Sequence, residues 1–299
     1  MTQEKPRVLV IDGMALLFRS FFATAMSGNY FKNEKGIPTN AVQGFARHVL
    51  AAQELMNPTH MAVCWDKGMK TFRNDLFDGY KANRPKPAEE MIPQFDMAQE
   101  LSEHLGWQNF GIVGMEADDT IASITHKWKD EAHFTIVSGD KDLLQLLNPS
   151  TEIAFTKKGF TIYDYYNHER FTDEYGISPL QFPDVKAFMG DSSDGYAGVK
   201  GIGPKTALQL IQAYGSVEKV IDSLHLLTKG QRTKIEADLE MLHLSKQLAT
   251  ISRDVPIEAE LDHLVIPNID TNKFDFLYEH GYTILARQLQ GKQKPVGQL

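Results

Sequence analysis

The sequence predicts an α/β protein: a parallel sheet with helices on both faces, followed by a helical region. Three observations carry this. Apolar runs at Arg7–Asp12, Thr59–Asp66 and Phe134–Asp140 read as buried strands, and each ends in an aspartate. Helical patterns separate them, at Leu16 to Ala25, Thr39 to Met56, Ile92 to Leu105 and Ala117 to Trp128. Past about Asp184 the pattern is almost wholly helical. Strands alternating with helices give a parallel sheet, and such sheets bind ligands at the carboxyl ends of their strands.

The chain of 299 residues, 42% hydrophobic and 23% charged, is long enough for one large domain or two smaller ones. No apolar run approaches the about 18 residues of a membrane span, and no signal-peptide segment precedes the first strand. The single cysteine, Cys64, excludes an intrachain disulfide and fits a reducing, cytoplasmic setting. The net charge of −8 argues weakly against a nucleic-acid partner. Its location matters more than its sum. If nine of the 39 acids form one cluster, the other 30 face 31 lysines and arginines, a balance of +1.

Taken in order, Asp12 closes the first strand and the helix after it carries Arg19. Thr39 stands where a helix N-cap belongs. Asp66 closes the second strand. One such aspartate has an ordinary reading as a cap or turn former, but three strands deliver theirs to the same edge. Glu116, Asp118 and Asp119 open the next helix, where a dipole accounts for one or two acids. Three in four positions repel one another unless a cation sits between them. Asp140 and Asp142 repeat the arrangement on a tight strand-to-helix turn.

The segment Lys67 to Lys86 is different. It holds Lys67, Lys70, Arg73, Lys81, Arg84 and Lys86 against Asp75 and Asp78, with Phe72, Phe77 and Tyr80 interleaved. Bases neutralise phosphates and aromatics stack on unpaired bases, so a mobile basic excursion is expected above the acidic edge, over about 67–95. Farther on, Asp191 and Asp194 directly precede a glycine-rich hairpin, Gly198-Val-Lys-Gly-Ile-Gly203, which opens a helix with Pro204-Lys-Thr. Carboxylates suit a hard divalent cation, and backbone N–H groups at a helix start suit a phosphate. Helices are then expected at Lys205 to Tyr214, Ser216 to Leu224, Gln231 to Thr250 and, as a pair, Thr271 to Gln290. An irregular connector lies near Leu261 and a disordered tail covers 291–299.

These motifs, Leu-Val-Ile-Asp12-Gly, Phe72-Arg…Tyr80-Lys-Ala-Asn-Arg84, Glu116-Ala-Asp-Asp, Ser138-Gly-Asp-Lys-Asp and Gly190-Asp-Ser-Ser-Asp…Gly201-Ile-Gly-Pro-Lys-Thr-Ala, closely resemble the 5′-nuclease family over residues 7 to about 290. The likeness is strongest to small stand-alone bacterial 5′-3′ exonucleases. It implies a PIN-like nuclease core (1–185) with an arch, then a DNA-binding subdomain (186–290) containing a helix–three-turn–helix element. It implies two divalent ions, normally Mg²⁺ with Mn²⁺ as substitute, held by Asp12, Asp66, Glu116, Asp118, Asp119 and Asp140, and by Asp142, Asp191 and Asp194. Such ions activate a water and stabilise the leaving oxygen. Lys81 and Arg84 correspond to catalytic cationic residues that contact the scissile phosphate and stabilise transition-state charge, Tyr80 to a stacking residue, and Arg19 and Arg73 to DNA contacts. Gly198, Lys200, Gly201, Gly203, Lys205 and Thr206 correspond to the duplex grip, with a potassium ion on the hairpin carbonyls. The implied activity is 5′-3′ exonuclease and 5′-flap endonuclease on DNA, and on RNA primers, in replication and repair, by a monomer associated with the nucleoid.

Family members commonly carry Asn and Pro where this chain has Gly195 and Ala197, so a more mobile loop is expected there. Two other classes compete. A catalytically silent DNA-binding module would lack metal ligands, against the intact set of nine acids. An aspartyl-nucleophile phosphatase needs a second aspartate two residues after the first, where Met14 stands.

Overall fold

The computed structural model describes residues 4–28, 30–269 and 273–293. In chain order the elements are β1 (Arg7–Asp12), α1 (Gly13–Ala25), α2 (Asn40–Met56), β2 (His60–Cys64), α3 (Phe72–Leu76), α4 (Ile92–His104), β3 (Gln108–Phe110), α5 (Ala117–Lys127) and β4 (His133–Ser138). Next come β5 (Thr151–Lys158), β6 (Ile162–Tyr166), α6 (His168–Tyr175), α7 (Phe182–Met189), β7 (Gly190–Asp191) and β8 (Tyr196–Ala197). Helices complete the chain: α8 (Pro204–Tyr214), α9 (Val217–Asp222), α10 (Lys229–Ala237), α11 (Leu239–Ala249), α12 (Phe274–Glu279) and α13 (Thr283–Gln293).

The main sheet has the order β3-β2-β1-β4-β5-β6, parallel throughout except for β6 at the edge. The inner positions of its central strands are mostly apolar, as in Val8–Ile11 and Met61–Cys64, because both faces are covered. Side chains alternate across the sheet: Val8 and Val10 enter one core with Ala62 and Cys64, while Leu9 and Ile11 enter the other with Met61 and Val63. The expected strands, Thr59–Asp66 and Phe134–Asp140, prove shorter than the apolar runs, and their aspartates sit just past the last paired residue.

The first core continues without a break into α7, α8 and α9 through Phe188, Val199, Leu210 and Val217. The helical region is therefore packed on one face of the sheet. The last two helices, expected within that same subdomain, go elsewhere. Phe274, Leu277 and Leu285 join the opposite core with α2 and α4, and Arg47 bonds Gln288. Of the expected pair, Thr271 lies outside the described residues, as does 294–299 of the tail. The long helix expected over Gln231 to Thr250 is interrupted at Asp238 and becomes α10 and α11. Thr39 is the N-cap residue of α2, but its hydroxyl donates to the Phe31 carbonyl oxygen instead of capping.

Two glycines fix the turn that carries Asp191 and Asp194. A Cβ on Gly198 would stand 2.2 Å from the Phe188 carbonyl oxygen and 2.4 Å from Gly190 N. Gly190, at φ 73°, closes the same approach from the other strand. Gly198, expected at a DNA contact, is required first by this internal backbone packing. Gly198→Ala should lower the urea midpoint by an amount corresponding to at least about 2 kcal/mol.

No helix among the described residues is long and apolar enough to cross a membrane.

Candidate metal centre

The parallel sheet brings the strand-end carboxylates to one edge. Asp12 is buried there; Ala15 N donates to its Oδ1 (2.9 Å) and Ser138 Oγ to its Oδ2 (2.5 Å). Asp66 Oδ1 accepts Ala117 N at 2.6 Å, so it holds the first turn of α5. Asp140 Oδ1 accepts Asp142 N at 2.8 Å and so shapes the turn that follows β4.

These groups repel one another. Burial, with Asp66 and Asp140 adding to it, pushes the Asp12 carboxyl up to about 7 despite its two bonds. Burial and then Asp140, Asp12 and Glu116 raise Asp118 well above the carboxylate range. Asp12 and Asp118 thus lack compensating charge, with Asp66, Glu116 and Asp140 near enough to add to the repulsion.

A second group adjoins it. Oxygens of Asp142, Asp191 and Asp194 lie within 4.8 Å of one another. Lys186, on α7, donates from Nζ to both Asp142 and Asp191, the latter at 2.6 Å. Burial still raises Asp142, to about 6, with Lys186 opposing and Asp140 assisting. In Asp191 burial pushes upward, but bonds from Lys186 and Ser193 prevail and hold it at about 2. Ser193 N and Oγ and Asp194 N all donate to Asp191 Oδ1, which sets the turn between β7 and β8.

The basic segment does not stand free of this edge. Lys81 Nζ donates to Glu116 Oε1 at 2.6 Å, and Arg84 Nη2 to Asp194 Oδ1 at 2.7 Å. Lys81 N donates to the Asp194 carbonyl oxygen and Asn83 Nδ2 to that of Ser192. Lys81 itself is held at φ 55°, in the left-handed region. Gly195 allows this approach: a Cβ there would meet the Gly79 carbonyl oxygen at 2.8 Å. The loop around Gly195 thus receives the backbone of Gly79 to Asn83. Residues 82–89 are exposed and form no helix or strand.

Three expected roles are corrected. Arg73, read as a DNA contact, is 2% exposed; its guanidinium bonds both Asp119 oxygens at 2.8 Å and the carbonyls of Leu248 and Thr250. Asp119, read as a metal ligand, is 0% exposed and also accepts Glu116 N and Ser252 N, so both its oxygens are already engaged by Arg73 and backbone N–H groups. Tyr80, read as a stacking platform, is buried, and its hydroxyl donates towards Glu116 Oε2 (3.1 Å) and Asp194 Oδ2 (3.2 Å). A mobile arch base would expose all three; packing of α3 against α11 buries them.

The remaining expected contacts are placed as follows. Lys200, Gly201, Gly203 and Lys205 are exposed at the start of α8, with Thr206 half-buried, and Gly203 is its N-cap. Gly201 O accepts Lys234 Nζ at 2.9 Å. Arg19 donates to the Lys157 carbonyl oxygen, beside β5 and off the cluster. The sequence reading passed over Lys186 and Ser138. A lone lysine inside the apolar helix Phe182–Met189 was the available signal for the first.

Two family models match, the 5′-3′ exonuclease N-terminal resolvase-like domain over residues 7–176 and the 5′-3′ exonuclease C-terminal SAM fold over 177–272. The chain belongs to the 5′-3′ exonuclease family. It is similar to a 5′-3′ exonuclease of Bacillus subtilis, 46% identical over 284 residues covering 95% of this chain and 96% of the relative. It is also similar to DNA polymerase I of that organism, 40% identical over 289 residues, 96% of this chain but 32% of the polymerase. Among solved structures, bacteriophage T5 5′-exonuclease with bound zinc shares the fold at a TM-score of 0.68 and 24% identity, covering 95% of this chain and 97% of the other. Flap endonuclease-1 of Methanococcus jannaschii does so at 0.58 and 17%, covering 96% and 91%.

As a family member without cations at these carboxylates, the protein in EDTA should lose thermal stability between pH 6.5 and 8. Asp12, near 7, keeps a proton in the folded chain that an unfolded carboxyl of ordinary value 3.8 has released, so stability falls as pH rises. Asp142 and Asp118 act in the same direction. His48 at about 4, and His60, also lowered by burial, act oppositely, but only up to the ordinary histidine value of 6.5. The slope should reach roughly 1.4 kcal/mol per pH unit for each group still titrating, a few degrees of Tm. Mg²⁺ should flatten it. A melting temperature in EDTA that is level or rising across this window would contradict the crowding described.

Proposed function

We propose that this chain is a Mg²⁺-dependent, structure-specific 5′-3′ exonuclease and 5′-flap endonuclease acting on DNA. The observation that carries the reading is the carboxylate edge with Lys81 and Arg84 lying on it. The donor set fits the metal: Asp142, Asp191 and Asp194, whose oxygens converge, are all carboxylate, as are the strand-edge acids, hard and anionic, without sulfur or imidazole, which favours Mg²⁺ or Mn²⁺. Asp12, Asp66, Glu116, Asp118 and Asp140 would hold one ion, and Asp142, Asp191 and Asp194 a second. Bound there, divalent ions supply an activated water and charge stabilisation at the leaving oxygen. The phage T5 relative binds divalent metal ions, which supports the assignment.

The chain's own residues do the rest. Lys81 and Arg84 are paired to Glu116 and Asp194 only through one carboxylate oxygen each, so both can turn to a phosphate that enters beside those acids. Their fixed positive charge then stabilises the transition state. Lys186 keeps Asp142 and Asp191 ionised. Lys200, Lys205 and the open N–H groups of α8 hold duplex backbone at a distance from the cut, with potassium on the 198–203 hairpin carbonyls. Substrates are 5′ ends, flaps and nicks, with RNA–DNA hybrids included, and the working unit is a monomer at the nucleoid.

The test is a product-length assay on matched flap, nicked, single-stranded and RNA–DNA substrates in Mg²⁺, Mn²⁺, Ca²⁺ and EDTA. Cleavage at the junction in Mg²⁺ and Mn²⁺, lost in EDTA while DNA binding persists, is expected. Binding without cleavage in any metal would establish the silent module instead. A duplex affinity equal in potassium and sodium would remove the hairpin ion.

A further inference from the structure

On the edge of the sheet opposite the carboxylates, a cleft of about 700 Å³ opens beneath the start of β4 and the end of α5. That is within the roughly 300–1,000 Å³ range of small-molecule sites. Its charge is the reverse of the chain's net −8. Lys5, Lys129 and Arg253 line it with His126, His133 and His168, against one carboxylate, Asp130. Leu180, 63% exposed, and the exposed Pro149 give it an apolar wall above the buried Ala122, Leu146 and Leu147.

Arg253 is the informative residue. It is half-buried, and burial lowers its affinity for a proton with no carboxylate opposing that effect. Its one hydrogen bond among the described residues runs from Nη2 to the Gln145 carbonyl oxygen at 2.8 Å. Elsewhere in this protein a buried arginine is neutralised: Arg73 has Asp119. A guanidinium taken partly out of water beside two ammonium groups and an apolar wall is arranged for an anion that brings its own charge.

We propose that this cleft binds a nucleoside polyphosphate, with the phosphate chain on Arg253, Lys129 and Lys5 and the nucleoside against Leu180 and Pro149. It is separate from the metal centre, since the acids lie at the carboxyl ends of the strands and the cleft at the amino end of β4. Only a ligand with both parts uses both surfaces; inorganic phosphate or pyrophosphate uses the basic one alone.

The test is calorimetric titration of the full chain in EDTA, so that no cation links phosphate to the carboxylate edge. ATP, sodium pyrophosphate and adenosine are the probes. ATP is expected to bind, pyrophosphate more weakly, and adenosine not measurably. Arg253→Gln should weaken ATP at least about tenfold, the loss of one charge-assisted bond. Arg253→Lys should restore most of it, and Lys129→Gln, at an exposed position where folding tolerates the change, should weaken it several-fold. Lys141→Gln, on the carboxylate edge, should change nothing. Absence of ATP binding at about 1 mM, unchanged affinity in both Arg253→Gln and Lys129→Gln, or an equal loss in Lys141→Gln would overturn the proposal. Pyrophosphate binding as tightly as ATP would overturn its nucleoside half.

Discussion

Asp118→Asn should abolish most flap cleavage and, in the same protein, raise its stability in EDTA. The Asp118 carboxylate has no hydrogen-bond partner among the described residues, so the change removes charge and little else. Burial penalises its ionised form, and Asp140, Asp12 and Glu116 repel it against the weaker attraction of Lys81. Folding without metal is therefore easier once Asp118 is neutral. With metal the sign reverses. A neutral amide supplies a weaker ligand, and the loss of several kcal/mol of charge stabilisation corresponds to a roughly thousandfold fall in cleavage rate in Mg²⁺. A flap-cleavage time course and a melting curve in EDTA check both halves. Cleavage within threefold of the unaltered protein would remove Asp118 from the metal site. Loss of cleavage together with a lower melting temperature in EDTA would make it a structural acid. Asp140→Asn with Asp142→Asn should match the catalytic loss.

The contrast between Asp118 and Asp119 shows where the sequence stops speaking. Strand-end aspartates were legible because a parallel sheet has one carboxyl edge, and period-two burial cannot place Asp12, Asp66 and Asp140 anywhere else. Adjacent residues on a helix start point roughly 100° apart, and nothing local says which faces the cluster. The decision comes from Arg73, and its burial depends on carbonyls of Leu248 and Thr250, more than 170 residues away. Charge composition reads Lys67 to Lys86 as a basic excursion; it cannot show that Arg73 is spent inside while Lys81 and Arg84 remain at the acids. Three strands of the sheet escaped: β3 is only three half-buried residues, and β5 and β6 follow β4 with no α-helix between them, which breaks the strand–helix alternation on which β1, β2 and β4 were read. Likewise α12 and α13 were assigned by sequence proximity to a helical region, whereas the apolar face of α2 decided where they pack.

Arg73→Met should destabilise the protein by about 3–5 kcal/mol, the usual consequence of leaving a fully buried carboxylate without its partner. Asp119 would keep only the N–H groups of Glu116 and Ser252, and α3 would lose its tie to the carbonyl ends of α11. Since α3 begins the segment that carries Tyr80, Lys81 and Arg84, the base of the arch should loosen with it, and cleavage should fall before the protein melts. Removing the buried charge as well, in Arg73→Met with Asp119→Leu, should recover a large part of the stability, because the two sites share one interaction and their effects do not add. Urea midpoints for the single and double variants measure this directly. Were Arg73 a DNA contact, the single variant would unfold within about 0.5 kcal/mol of the unaltered protein, and the salt dependence of its duplex binding would lose about one phosphate contact. Those two outcomes are mutually exclusive, and the bidentate pair with Asp119 predicts the first.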